Sequence, residues 1–163
     1  IELSKASTGN IAVELTTMDA VETVNQALGE FTDKLEAAQL TPIFRAPQEP
    51  VYIHADGRLA WRAMSNLLSN AVKYAQPGTR LYVDMVAVDG KVCISFKNIS
   101  REPLNVSADE LMERFVRGDS SRTTEGNGLG LSIARSLTEL QKGTLTIKID
   151  GDLFKAILTF PVI

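Results

Sequence analysis

Two stretches of this 163-residue chain carry residue types at spacings that can do chemistry. The first is Gly126-Asn127-Gly128-Leu129-Gly130-Leu131, with three glycines at alternate positions. It runs straight into a segment where Leu129, Ile133, Leu137 and Leu140 repeat at helical spacing. Glycine lets a backbone come close to a ligand, and the free N–H groups of a helix N-terminus favour an anion, so the stretch suits phosphate. Taken alone, it is described equally well as a glycine-rich turn before a helix. The second stretch holds Asn66, Asn70 and Lys73, four and three residues apart and so on one face of a helix. One reading of that face is a solvated outer surface. The other is a nucleotide contact: magnesium bound with a nucleotide keeps most of its waters and takes one or two protein oxygens, which an asparagine supplies. Lys73 would then meet a phosphate, and Tyr74 would offer its ring to a base.

The elements that must position these residues follow from periodicity. Asp19 is a candidate N-cap for a helix over residues 20–38, where Val21, Val24, Leu28, Phe31 and Leu35 form one apolar stripe. Two prolines around Ile43-Phe44-Arg45 suit a short edge strand, and Val51 to His54 is a second short strand. Asp56 starts a helix over residues 56–75 that buries Met64, Leu67, Leu68, Ala71 and Val72 and is stopped by Pro77-Gly78. Residues 80–88 and 91–97 form a hairpin around Asp89-Gly90, the second strand alternating Val92, Ile94, Phe96. Periodicity weakens over about residues 99–125, which reads as a functional lid. The glycine loop, a helix ended by Gly143 and a hairpin over residues 144–160 complete the order. That order predicts an α/β (α+β) two-layer sandwich: a mixed sheet with helices on one face.

Bulk properties narrow the partners. With 44% hydrophobic and 23% charged residues, the composition is that of a globular domain rather than a disordered chain. A net charge of −3 with both signs interspersed leaves no uniform basic face, so nucleic acid is not an expected partner. One cysteine, Cys93, and one histidine, His54, make zinc chemistry and a cysteine–histidine nucleophile poor expectations.

The segment Asn66-Leu67-Leu68-Ser69-Asn70-Ala71-Val72-Lys73-Tyr74 closely resembles the N box of sensor histidine kinases. Glu113-Arg114-Phe115-Val116-Arg117-Gly118 resembles their F box, and Gly126 to Leu131 their G2 box, in the family's order and with family-like spacing. The resemblance implies the Bergerat ATP-binding fold over residues 11–163, with residues 1–10 the remnant of an upstream dimerisation helix. It implies ATP and Mg2+ as cofactors. Asn70 would be the magnesium ligand, Asn66 a supporting group, Lys73 a phosphate contact and Tyr74 a neighbour of adenine. Gly126, Asn127, Gly128, Leu129, Gly130 and Leu131 would shape the phosphate loop, Phe115 would anchor the lid, and Arg117 would contact phosphate or a partner. The implied partners are the protein's own dimerisation and phosphoacceptor domain and a response regulator receiver domain. The whole protein is expected to be a homodimer, cytoplasmic in this part and membrane-anchored through others, and this fragment a monomer.

One part of the family pattern is altered. Where the family carries Asp-x-Gly-x-Gly after the central strand, this chain has Asn98-Ile99-Ser100-Arg101-Glu102. The best register of the resemblance puts Asn98 at the aspartate that would accept a hydrogen bond from the adenine amino group, and a neutral amide accepts more weakly than a carboxylate. This departure supports a second expectation, a degenerate nucleotide-binding scaffold without efficient phosphotransfer. His54 lies in the strand leading into the N-box-like helix and is read as structural, so no catalytic residue is expected within residues 1–163 and the phosphoacceptor histidine is expected elsewhere.

Overall fold

An aspartate caps each of two helices in this fold. The computed structural model describes residues 12–104 and 129–163. Residues 1–11, most of the expected lid, Phe115, Arg117, Gly126, Asn127 and Gly128 lie outside the described residues. Asp19 closes β1 (Thr16–Asp19), and its carboxylate accepts from the Val21 N–H at 2.9 Å, capping α1 (Ala20–Glu30). The helix expected over residues 20–38 breaks at Phe31 (φ −100°, ψ 6°) and resumes as α2 (Thr32–Ala37). The Thr32 hydroxyl donates to the Leu28 and Gly29 carbonyls, drawing off acceptors at the break. Of the expected apolar stripe, Val24, Phe31 and Leu35 are buried and Val21 and Leu28 pack partly buried against the core, joined by Ala27.

The prolines do confine β2 (Leu40–Arg45) to a sheet edge, and it pairs in parallel with β4 (Thr79–Val88). The β4 strand turns into β5 (Lys91–Ile99) through Asp89 and Gly90, both at positive φ (54° and 75°), the type I′ geometry that an Asp-Gly pair favours. β6 (Thr144–Asp150) and β7 (Leu153–Pro161) form the closing hairpin, giving a five-stranded mixed sheet in the order β2-β4-β5-β7-β6. Leu81, Val83 and Met85 of β4, Val92, Ile94, Phe96 and Asn98 of β5, and Phe154, Ala156, Leu158 and Phe160 of β7 are buried at every second position. One sheet face therefore carries the core, under helices α1, α3 (Gly57–Tyr74) and α4 (Leu129–Leu140), as the sandwich reading requires.

Two details differ from expectation. β3 (Tyr52–Ala55) stays out of the main sheet and pairs antiparallel with β1, a strand whose Thr-Thr-Met-Asp sequence gives no alternating signal. Gly143 does not end α4 by adopting a left-handed conformation; Lys142 does that, at φ 69°. Gly143 is instead a close-approach residue: a Cβ there would lie 2.7 Å from the Thr159 carbonyl oxygen and 2.9 Å from the Phe160 ring.

Candidate nucleotide site

The helix α3 is fixed at both ends before it presents anything. At its start, the Asp56 carboxylate accepts from the N–H groups of Arg58 (3.0 Å) and Leu59 (3.2 Å), and its other oxygen accepts from the Glu14 N–H at 2.9 Å. Burial pushes this carboxyl up, yet the Glu14 and Leu59 hydrogen bonds, the Arg58 charge and the Arg58 N–H outweigh it and hold the group below the ordinary carboxylate range. The Asp56 N–H donates to the Gln141 side-chain oxygen at 3.0 Å, and the Gln141 amide donates to the Leu137 carbonyl at 2.9 Å. At its far end, α3 is stitched to the strand beside it. Gln76 N–H donates to the Ile99 carbonyl (2.7 Å), Arg101 N–H to the Tyr74 carbonyl (2.8 Å), and Ala75 bridges Ser100.

Between that stitched end, the end of β5 and the first turn of α4 lies a cavity of about 240 Å3. α3 contributes Asn70 and Tyr74, β5 contributes Asn98, and α4 contributes Leu131. These four are among the residues expected from the sequence, and they come from three elements far apart in the chain. Asn98 reaches the cavity because it continues the inward alternation of Val92, Ile94 and Phe96, and at the strand end it meets open space instead of a helix side chain. It is only 5% exposed, and among the described residues its side chain has no hydrogen-bond partner. Tyr74 stands at the rim, 36% exposed, and burial pushes its phenol above the ordinary value against the opposing Arg101 charge.

Asn66 and Lys73, although on the same helix face, do not line this cavity. Asn66 is half-buried where α4 packs on α3; a Cβ on Gly130 would lie 3.9 Å from its carbonyl oxygen, an ordinary contact. The Lys73 carbonyl accepts from the Arg101 guanidinium. His54 faces solvent on β3, paired with Thr17, and does not line the cavity.

Four lining residues were not singled out as site residues: Ser100, Glu102 and Leu104, which fall at the start of the expected lid, and Phe154. The Ser100 hydroxyl donates to the Glu102 carbonyl at 2.7 Å and accepts from its N–H at 3.3 Å, so it closes its own turn. Phe154 is the cross-strand neighbour of Asn98, a relation that only the β5–β7 register reveals. With Leu104 and Leu131 it gives the cavity apolar walls, and the polar groups sit at its inner end and rim. Apolar walls with a few convergent polar groups are what a flat heteroaromatic ligand requires.

Residues 55–162 match the family model described as histidine kinase-, DNA gyrase B- and HSP90-like ATPase. The chain is similar to the sensor protein IrlS of Burkholderia pseudomallei, 29% identical over 87% of this chain and 30% of that protein. It is also similar to the sensor histidine kinase CusS of Escherichia coli, 33% identical over 67% of this chain and 23% of that protein. It thus spans less than a third of the length of these relatives. Among solved structures, the catalytic domain of the histidine kinase ThkA superposes with a TM-score of 0.77 at 23% identity, covering 91% of this chain and 95% of that one. The matched segment holds α3, the cavity and α4, and the chain belongs to the histidine kinase-, DNA gyrase B- and HSP90-like ATPase family, as a catalytic ATP-binding domain of the sensor histidine kinase kind.

Proposed function

We propose that this domain binds Mg-ATP in the cavity between α3, β5 and α4 and delivers the γ-phosphoryl group to a histidine on the protein's own dimerisation domain. From there the group would pass to an aspartate on a response regulator. The observation that carries the reading is the convergence of Asn70, Tyr74, Asn98 and Leu131, drawn from three separate elements, on one apolar-walled cavity beside the glycine-rich start of α4. Asn98 would meet the base at the inner end, Tyr74 would cover its face, and Leu131 and Phe154 would enclose it. Asn70 stands half-buried on the cavity wall and offers an amide oxygen, the hard donor that magnesium accepts beside nucleotide phosphates and water. Magnesium would neutralise phosphate charge there. Lys73 and the glycine loop, including Gly126, Gly128 and Gly130, would hold the phosphates, and Phe115 and Arg117 would act from the lid.

ThkA, a structural neighbour, has been solved in complex with the response regulator protein TrrA, which supports a receiver domain as partner. None of the helices among the described residues is long and apolar enough to cross a membrane, consistent with a domain that works outside the bilayer in an anchored homodimer. Neutral Asn98, with Ser100 and Glu102 in place of glycines, favours one competing reading, a scaffold that binds nucleotide without transferring it.

Calorimetric titration with a non-hydrolysable ATP analogue, with and without magnesium, tests the proposal. Binding that magnesium strengthens, and that loses this dependence in Asn70→Ala, is the expected result. No binding at millimolar nucleotide would overturn it. Autophosphorylation of the whole protein separates the kinase from the scaffold.

A further inference from the structure

The inner end of the cavity presents a single uncommitted polar group. The Ser100 hydroxyl is engaged with the Glu102 backbone, Tyr74 lies at the rim and Asn70 lies on the helix wall. Asn98 alone is more than nine-tenths buried, lines the cavity and has no side-chain partner among the described residues. Its amide carries both a donor and an acceptor, and the two exchange places by a half-turn about χ2. No described neighbour holds it in either orientation.

A 6-aminopurine shows an exocyclic donor beside the ring acceptor N1. A 6-oxopurine shows the reverse, an acceptor at O6 beside a donor at N1. A carboxylate opposite position 6 accepts from a 6-amino group and repels a 6-oxo oxygen, whereas an amide that turns about χ2 accepts from the first or donates to the second. We infer that this site accepts 6-oxopurine as well as 6-aminopurine nucleoside triphosphates, with Asn98 as the residue that sets this tolerance. The inference rests on the nucleotide-binding reading above and specifies its substrate class. Sites built around a fixed hydrogen-bond pattern reject the wrong analogue by large factors, because the unmatched polar group stays buried and unpaired. An amide free to turn removes that penalty for both edges.

The experiment is calorimetric titration of the wild-type protein with ATP and with inosine triphosphate, both with magnesium. Inosine triphosphate presents the 6-oxo edge without an added 2-amino group, so ring size does not confound the comparison. Dissociation constants within about tenfold of each other are expected. In Asn98→Asp the ratio should open to about 100-fold or more in favour of ATP. A wild-type preference for ATP above about 100-fold, or a ratio unchanged in Asn98→Asp, overturns the inference. If Asn98→Asp does not fold, Asn98→Ala serves: both nucleotides should weaken by similar factors, and loss of only one overturns it. Failure of the wild-type protein to bind either nucleotide overturns the nucleotide-binding reading itself, a result distinct from ATP binding with inosine triphosphate rejected.

Discussion

Replacing Asp56 by alanine should destabilise the domain by an amount that can be worked from its contacts. The carboxylate caps α3 through the Arg58 and Leu59 N–H groups, and loss of an N-cap side chain costs about 1 kcal/mol. It also accepts from the Glu14 N–H at 2.9 Å, the contact that holds the segment before β1 against the helix, and that bond is worth about a further 1 kcal/mol. The sum of about 2 kcal/mol corresponds to a fall in melting temperature of roughly 4–8 °C for a domain of this size. The same group gives the prediction a pH signature. Its folded pKa is depressed, so its contribution is complete above the ordinary aspartate value near 3.9, and it disappears as the pH falls through the lower folded value. The gap in melting temperature between wild type and Asp56→Ala should therefore narrow from pH 7 downward by the charge-dependent part of this contribution. Asp56→Asn keeps a good capping side chain, so it should retain most of the stability at pH 7 while losing the pH-dependent part. A melting temperature for Asp56→Ala within about 1 °C of wild type at pH 7 would refute the assignment of Asp56 as a fastening point.

Gly143→Ala forces a Cβ to within 3 Å of the Thr159 carbonyl and the fully buried Phe160 ring, and should cost about 1–3 kcal/mol, read as a lower urea midpoint with an unchanged slope. Gln39 holds φ at 59°, so Gln39→Gly relieves backbone strain at some cost in chain entropy and should raise stability by about 0.5 kcal/mol; a fall would show that the strain is absent. Burial pushes the Tyr74 phenol up, so the ultraviolet titration of wild type minus Tyr74→Phe should have a midpoint above that of an exposed tyrosine. Nucleotide analogue covering the ring should move that midpoint further up.

The parts of this fold that were legible in sequence are those set by local rules. Asp19 and Asp56 cap helices, Asp89-Gly90 makes its turn, and Val92, Ile94 and Phe96 alternate as written. Asn70, Tyr74, Asn98 and Leu131, expected as nucleotide contacts, line one cavity: helical spacing put the first two on one face, and the family resemblance singled out the other two. Long-range relations were not legible. Phe154 enters the cavity through its register with Asn98, and Ser100 and Glu102 through a turn that no periodicity announces. β1 exists because β3 supplies its partner, and Gly143 is small because two residues from another strand pass close by. Asn66 and Lys73 share a face with Asn70, but spacing along one helix does not say where a neighbouring helix will cover it.

The buried amide of Gln141, 1% exposed, ties the start of α3 to the end of α4 at the end opposite the cavity. The two helices run in opposite directions, so the cavity lies between the stitched end of α3 and the first turn of α4. The Gln141 side-chain oxygen and amide reach backbone groups of different helices, so the spacing of those two helix ends is set by a residue that does not line the cavity.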